Sequence, residues 1–218
     1  DWNSDCTAGS SCFPDVGAAA KSGMIPIAWQ LSEVRVVRGG RSILDGVSCE
    51  ITAAGFTAVV GPNGAGKSSL LNVLAGMIRP DQGSVVFEAR PLDQFPPSQL
   101  ACRRAVLGQE NHLAFPFQVE EVVELGRIPH KGARREEDRA ACKDAIELAG
   151  VASLQGRNFL TLSGGEKQRV HLARVLAQLD NARHEGCWLL LDEPTSALDL
   201  RHQHGTLDLV RSLCQERG

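Results

Sequence analysis

An α/β fold with a mixed central sheet, an antiparallel β portion and an all-helical insertion is predicted by three observations. Residues 28–60 alternate short apolar runs with turns at Arg38-Gly39-Gly40-Arg41 and Ala53-Ala54-Gly55, as antiparallel hairpins do. Between Glu110 and Thr161 the apolar positions recur at helical intervals, in Val119 to Leu125 and in Arg139 to Ala149, with turns at Pro129 and Gly150. Cys187-Trp188-Leu189-Leu190-Leu191 is a continuous apolar run, the mark of a strand covered on both faces of a parallel sheet.

Taken in order, Asp1 to Gly23 mix Ser, Gly, Ala and two Cys without periodicity, and the first Met is Met24. Residues 1–23 are therefore expected to be a disordered extension, and Met24 the natural start. The stretch has neither a basic n-region nor a continuous apolar h-region, so no signal peptide is expected. Thr57-Ala58-Val59-Val60 reads as a strand running straight into Gly61, and from Lys67 the apolar residues Leu70, Leu71, Val73, Leu74 and Met77 fall on one helix face. Ser84 to Phe87 and Ala105 to Leu107 are further strands, separated by a Pro-rich loop from Pro91 to Pro97 and a short helix. Gln109 closes the second of them. The helical insertion occupies about residues 110–162, and a last helix runs from Leu200 to Glu216. At 218 residues and 43% hydrophobic content, the chain fits one domain over 24–218 with an inserted subdomain.

Composition excludes several classes. A net charge of −3 gives no basic field for DNA or RNA, so no nucleic-acid partner is expected. Arg103-Arg104 and Lys131 to Arg135 are local, with acids at Glu136-Glu137-Asp138 following, and read as solvated surface. No apolar run approaches the length of about 18 residues that spans a bilayer. Seven cysteines scattered without metal-ligand pairing read as small, mostly buried apolar residues in a reducing compartment.

Gly61-Pro62-Asn63-Gly64-Ala65-Gly66-Lys67-Ser68 has the spacing of a phosphate-binding loop between strand and helix. Its glycines let backbone N–H groups curl around a phosphate, and the helix adds its positive end. Lys67 would bridge the β- and γ-phosphates of ATP and Ser68 would place its hydroxyl on Mg²⁺, while neighbouring amides, including that of Ser69, would reach the α- and β-phosphates. Asp192-Glu193 follows the buried strand directly, at the carboxyl edge where open α/β sheets bind ligands. Asp192 suits a Mg²⁺-bound water, and Glu193 suits a base that polarises the water attacking the γ-phosphate. Gln109, a neutral amide at the border of the insertion, would contact Mg²⁺ or that water. Ser163-Gly164-Gly165 opens a helix, offering bare amides, a hydroxyl and a dipole to an anion. The same segment reads as an ordinary helix start, Ser163 capping and Glu166 closing a capping box, and both readings hold together.

With Gly61 to Ser68, Gln109, Leu162 to Arg169, Cys187 to Pro194 and Ser196-Ala197-Leu198-Asp199 in this order, residues 28 to 218 resemble the ABC transporter ATPases. The resemblance implies the roles of Walker A, Q-loop, signature, Walker B with catalytic Glu193, and a D-loop ending at Asp199. It also implies a P-loop fold of ABC type. A second copy is expected to face the first head to tail, each signature closing on ATP held by the other. Transmembrane permease subunits, and indirectly a periplasmic substrate-binding protein, are the further partners implied, with the chain on the cytoplasmic face of the inner membrane.

Within that family, His112-Leu113-Ala114-Phe115-Pro116-Phe117, Val119 to Arg127, Ala177-Gln178-Leu179, the loop Asp180 to Gly186 and Leu198 to His204 look like the haemin-import ATP-binding subunits. ATPases of siderophore and cobalamin importers share much of the same insertion and are the alternative. A soluble ABC ATPase acting on nucleic acid or the ribosome would need coiled-coil arms, a second ATPase domain or a basic surface, and a small-molecule kinase would have an acceptor site in place of Ser163 to Arg169. The substrate never enters this subunit, so His112, His130, His171, His202 and His204 read as surface or interface residues rather than haem ligands. His202 and His204 are two apart and point away from each other on a helix.

Two departures from the family follow. The chain has no Tyr, and Val36-Val37-Arg38 offers no aromatic ring to adenine, leaving the Arg38 guanidinium plane as the stacking surface. The family's switch histidine comes after the next strand, beyond Gly218, and His202 and His204 are too close to Asp192 to replace it. The chain as given is therefore expected to bind ATP better than it hydrolyses it.

Overall fold

The computed structural model describes residues 27–53, 56–108, 113–130, 132–179, 187–194 and 208–212. Strands β1 (Ile27–Arg38) and β2 (Arg41–Thr52) form a long antiparallel hairpin. Its turn is Gly39-Gly40, at φ 57° and 76°. Two positive torsions match the right-handed twist of the strands, and glycine adopts them without a Cβ clash. The sheet continues through β3 (Gln82–Phe87) and β4 (Arg90–Pro91) in the order β2-β1-β3-β4, antiparallel throughout. Helix α1 (Lys67–Leu74) buries Val73 and Leu74 in the core of this sheet. There Trp29, also fully buried, donates its indole N–H to Leu74 O at 3.3 Å, so the ring's one polar atom is satisfied.

A second sheet pairs β5 (Arg104–Leu107) with β6 (Trp188–Leu191) in parallel register, from Arg104↔Trp188 to Leu107↔Leu191. Alternation along these strands divides their side chains between two cores. Val106, Trp188 and Leu190 join the core of the antiparallel sheet, where Trp188 meets Trp29 edge-on at 4.5 Å. Ala105, Leu107, Leu189 and Leu191 join the helical core on the opposite face. That core is built by α3 (Val119–Glu124), α4 (Arg135–Leu148) and α5 (Gly164–Leu179), with α2 (Pro97–Arg103) leading into β5. Val119, Val122 and Val123 of α3 are completely buried, each contributing about 1.5–3 kcal/mol relative to exposure. Residues 208–212 are helical, and no helix among the described residues is long and apolar enough to cross a membrane.

Four expectations need correction. Thr57 to Val60 is not a strand: the segment has no ladder partner among the described residues, and Val60 is 82% exposed. A strand is completed by its neighbours, and among the described residues β5 and β6 pair only with each other. For the same reason β6 is packed on both faces yet only Leu190 is fully buried. Arg103 and Arg104 are not solvated surface. Arg103 is paired with Glu88, and Arg104 sits in β5 with its Nε enclosed, so that burial lowers its pKa. His171 is not a surface residue either: it lies in α5 between Val170 and Leu172, 3% exposed, edge-on to Phe159 at 5.0 Å.

Candidate active site

The loop from Gly61 to Ser68 folds around its own lysine. A turn closes from Ala65 N–H to Pro62 O at 3.2 Å, and Lys67 Nζ donates to Gly61 O and Pro62 O at 2.9 Å each. The first helical bond runs from Leu70 N–H to Gly66 O at 2.8 Å. The amides of Lys67, Ser68 and Ser69 precede that bond and so have no intrahelical acceptor. No side chain caps this helix end and no acid lies in its first turn, which leaves its positive end unopposed. Gly66 explains why the loop needs glycine: at φ 90°, a Cβ there would stand 2.8 Å from Ile43 O and 3.0 Å from Leu44 Cδ2 in β2. Gly64, at φ 81°, has nothing within 4 Å of the same position and presents open backbone. Pro62, Asn63, Ala65 and Ser68 are exposed, and Lys67 and Ser69 half-buried. Bare amides, one cation and a hydroxyl are a donor set that fits the oxygens of a nucleotide phosphate.

The parallel register of β5 and β6 brings two chain segments to one edge. Asp192 N–H donates to Leu107 O at 2.9 Å, continuing the ladder one residue past β6. Asp192 is half-buried and Glu193 exposed. Glu193 has φ 46°, in the left-handed region that costs a non-glycine residue of order 1–3 kcal/mol. Gln109 follows β5 by two residues, and it lies outside the described residues, as do His112, Ser196 to Asp199, His202 and His204.

At the start of α5 the capping box reads as expected: Ser163 N–H donates to Glu166 Oε2 at 2.7 Å, and Glu166 N–H to Ser163 Oγ at 3.3 Å. The backbone bond from Ser163, then its hydroxyl, and last the Arg157 guanidinium 3.2 Å away hold the Glu166 carboxyl below its usual pKa. Ser163 and Gly164 are exposed, Gly165 half-buried, and a Cβ at Gly164 would meet nothing within 4 Å. Arg38, the alternative adenine platform, donates to Val37 O at 2.7 Å and lies 3.5 Å from Asp81.

Two glutamines missing from the sequence-based set tie these pieces together. Gln168 donates its side-chain amide to Pro194 O, joining α5 to the residue after Glu193. Gln178, at the other end of α5, donates to Ala101 O at 2.7 Å and Arg104 O at 3.2 Å, while its own carbonyl accepts from His130 Nε2 at 2.8 Å. A partly apolar helix with two glutamines gives no sequence signal for either link, because all three acceptors are backbone carbonyls distant in the chain.

Comparison with known proteins decides what this assembly is. A family model described as ABC transporter matches residues 44–196, from β2 past the Asp192-Glu193 pair. The chain belongs to the ABC transporter family. It is an ATP-binding, ATP-hydrolysing transport subunit of that family, and its fold is the ABC ATPase P-loop fold with an antiparallel β subdomain. The hemin import ATP-binding protein HmuV of Photobacterium damselae subsp. damselae is 47% identical over 190 residues, covering 87% of this chain and 71% of that protein. HmuV of Gloeobacter violaceus is 53% identical over 175 residues, covering 79% and 64%. Among solved structures, an ATP-binding cassette in a dimeric post-hydrolysis state with ADP and Pi superimposes with a TM-score of 0.74 at 27% identity, covering 87% of this chain and 84% of that one. As an ABC transporter ATPase the chain places its P-loop and its Asp-Glu pair on elements that meet at one core.

Proposed function

We propose that this chain is the ATPase of a haemin importer, working as a head-to-tail pair of cassettes beneath transmembrane permease subunits at the cytoplasmic face of the inner membrane. The observation that carries the catalytic part is the shared edge of β5 and β6. Asp192 is bonded to Leu107, and Glu193 projects from the next residue. One strand thus presents the base while its neighbour leads to Gln109. In this reading Gly61, Pro62, Asn63, Gly64, Ala65 and Gly66 form the cradle, Lys67 neutralises the β- and γ-phosphates, and the Ser69 amide joins the α- and β-phosphate contacts. Glu193 accepts the proton of the attacking water, and Gln109 orients it. Ser163 with the Gly164 and Gly165 amides, together with Asp199, serves the nucleotide of the facing copy.

Mg²⁺ fits the donor chemistry, since Ser68 and Asp192 are oxygen donors and such a cation keeps most of its coordination for water and phosphate. Ser68, Asp192 and Gln109 would hold it, partly through water, and when bound it neutralises charge developing on the phosphate oxygens. Phe115 and Ile128, each 68% exposed, supply apolar surface on the helical insertion for permease segments. Domain bounds follow the same reading: an ABC ATPase over 24–218 with a helical insertion over about 110–162 that swings with Gln109. The transported molecule is haemin by similarity to relatives at 47% and 53% identity; the periplasmic binding protein hands it to the permease, away from this chain.

The test is Glu193→Gln in the intact protein. Nucleotide binding is retained and turnover falls by about 10²–10⁴, the usual worth of a positioned base. Turnover near wild type would exclude Glu193 as the base. Reconstituted with its permease in vesicles, the protein takes up haemin on ATP addition, and uptake of a ferric siderophore or cobalamin instead would reassign the substrate.

A further inference from the structure

The turn that carries the catalytic pair is held at both ends by different elements. Asp192 N–H is fixed to Leu107 O at 2.9 Å. On the far side Pro194, which has no N–H to give, is held through its carbonyl by the amide of Gln168. Between these anchors stands Glu193 at φ 46°, in the left-handed region that costs a residue with a Cβ free energy and so depends on its surroundings. Gln168 lies just beyond the first turn of α5, whose start is locked by the mutual Ser163 and Glu166 bonds and by Arg157. From Gly164 to Leu179 that helix is continuous, and its inner face is buried by Val170, Leu172, Ala173 and Val175. A displacement of its N-terminus therefore moves Gln168 as part of one body.

We infer that Gln168 is a positioning residue for Glu193, and that through it the signature end of α5 sets the base of its own subunit according to whether the facing subunit's ATP is engaged. This rests on the head-to-tail reading above. In a pair of cassettes the α5 N-terminus of one copy contacts the ATP bound by the other, while Glu193 acts on the ATP bound in its own P-loop. Gln168 joins the two, so each ATP site receives the state of its opposite number through this side chain. The link explains a glutamine whose amide reaches a carbonyl beside the base rather than solvent.

The experiment uses the intact protein with Gln168→Leu, which removes the amide at similar size, and Gln168→Glu, whose carboxylate cannot donate to Pro194 O when ionised. For both, affinity for a fluorescent ATP analogue stays within about twofold of wild type while kcat falls about tenfold to a hundredfold, the loss expected of a displaced base. A double-mutant cycle with Ser163→Ala is non-additive in kcat, because both changes interrupt one path. An unchanged kcat in both variants, a loss confined to nucleotide affinity, or strict additivity with Ser163→Ala would overturn the inference. Failure of the cassette reading is separate: it is seen as ATP-analogue binding that survives Lys67→Ala in an otherwise wild-type chain.

Discussion

Gly126→Ala is predicted to loosen the helical insertion from the core. Gly126 is not at a positive φ, so its small size rather than its backbone freedom is what the structure uses. A Cβ built there falls 2.2 Å from Arg174 O and 3.1 Å from Gln178 N, both backbone atoms of α5. Carbon to oxygen contacts ordinarily lie at about 3.3–3.6 Å, so the turn Leu125–Arg127 must retreat from α5 by about 1 Å. Two bonds tether it: Arg127 Nη1 donates to Ala177 O at 2.6 Å and His130 Nε2 to Gln178 O at 2.8 Å. The Arg127 ion pair with Asp138 at 2.8 Å sits on the same turn. Overpacking costs about 1–3 kcal/mol, and stretching a charged hydrogen bond adds about 1 kcal/mol or more, giving a destabilisation of about 2–4 kcal/mol. For a domain of this size that lowers Tm by about 5–15 °C. Circular dichroism melts of wild type and variant at equal protein concentration measure it. A fall in Tm of less than about 1 °C would refute the close-packing argument.

Other outcomes separate function from stability. Gly164→Ala, with open space at its Cβ, changes thermal stability little or raises it slightly, since alanine favours a helix by up to about 1 kcal/mol over glycine. It nevertheless lowers ATP turnover by crowding the amide offered to the facing nucleotide, and a loss of stability in a melt would contradict this division. Glu166 gives a pH signature. Its folded pKa lies below the usual 4.5, so the cap's contribution is complete above that pH and is lost as pH falls through the lowered folded value. The stability gap between wild type and Glu166→Ala, followed by urea unfolding, therefore holds from neutral pH to about pH 5 and narrows below about pH 4. A gap independent of pH would remove the carboxylate from the cap.

The parts that could be read from the chain are those whose information is local. The loop Gly61 to Ser68, the hairpin turn at Gly39-Gly40, the helices around Val119 and Arg139, and the Ser163 to Glu166 box each depend on residues within a few positions of one another. Thr57 to Val60 failed as a strand because its apolar side chains specify β structure only beside a partner strand, and the described residues supply none. Arg104 and His171 failed for a related reason: a polar letter in a sequence says nothing of whether β5 or α5 turns it inward. Gly126 sits in a helical stretch where an isolated glycine is a weak hint of close packing, and only the approach of α5 gives it meaning. The links from Gln168 and Gln178 join positions 26 and 77 residues apart, beyond any periodicity.

The central claim is that ATP binds between two copies, held by the P-loop of one and the signature of the other. Light scattering of Glu193→Gln with and without Mg·ATP tests it most directly, because hydrolysis no longer dissolves the pair. The protein is expected to be a monomer without nucleotide, a dimer with ATP, and a monomer again when Ser163→Arg is added to block the signature. A variant that stays monomeric at saturating ATP, or that dimerises equally well with Ser163→Arg, would contradict it.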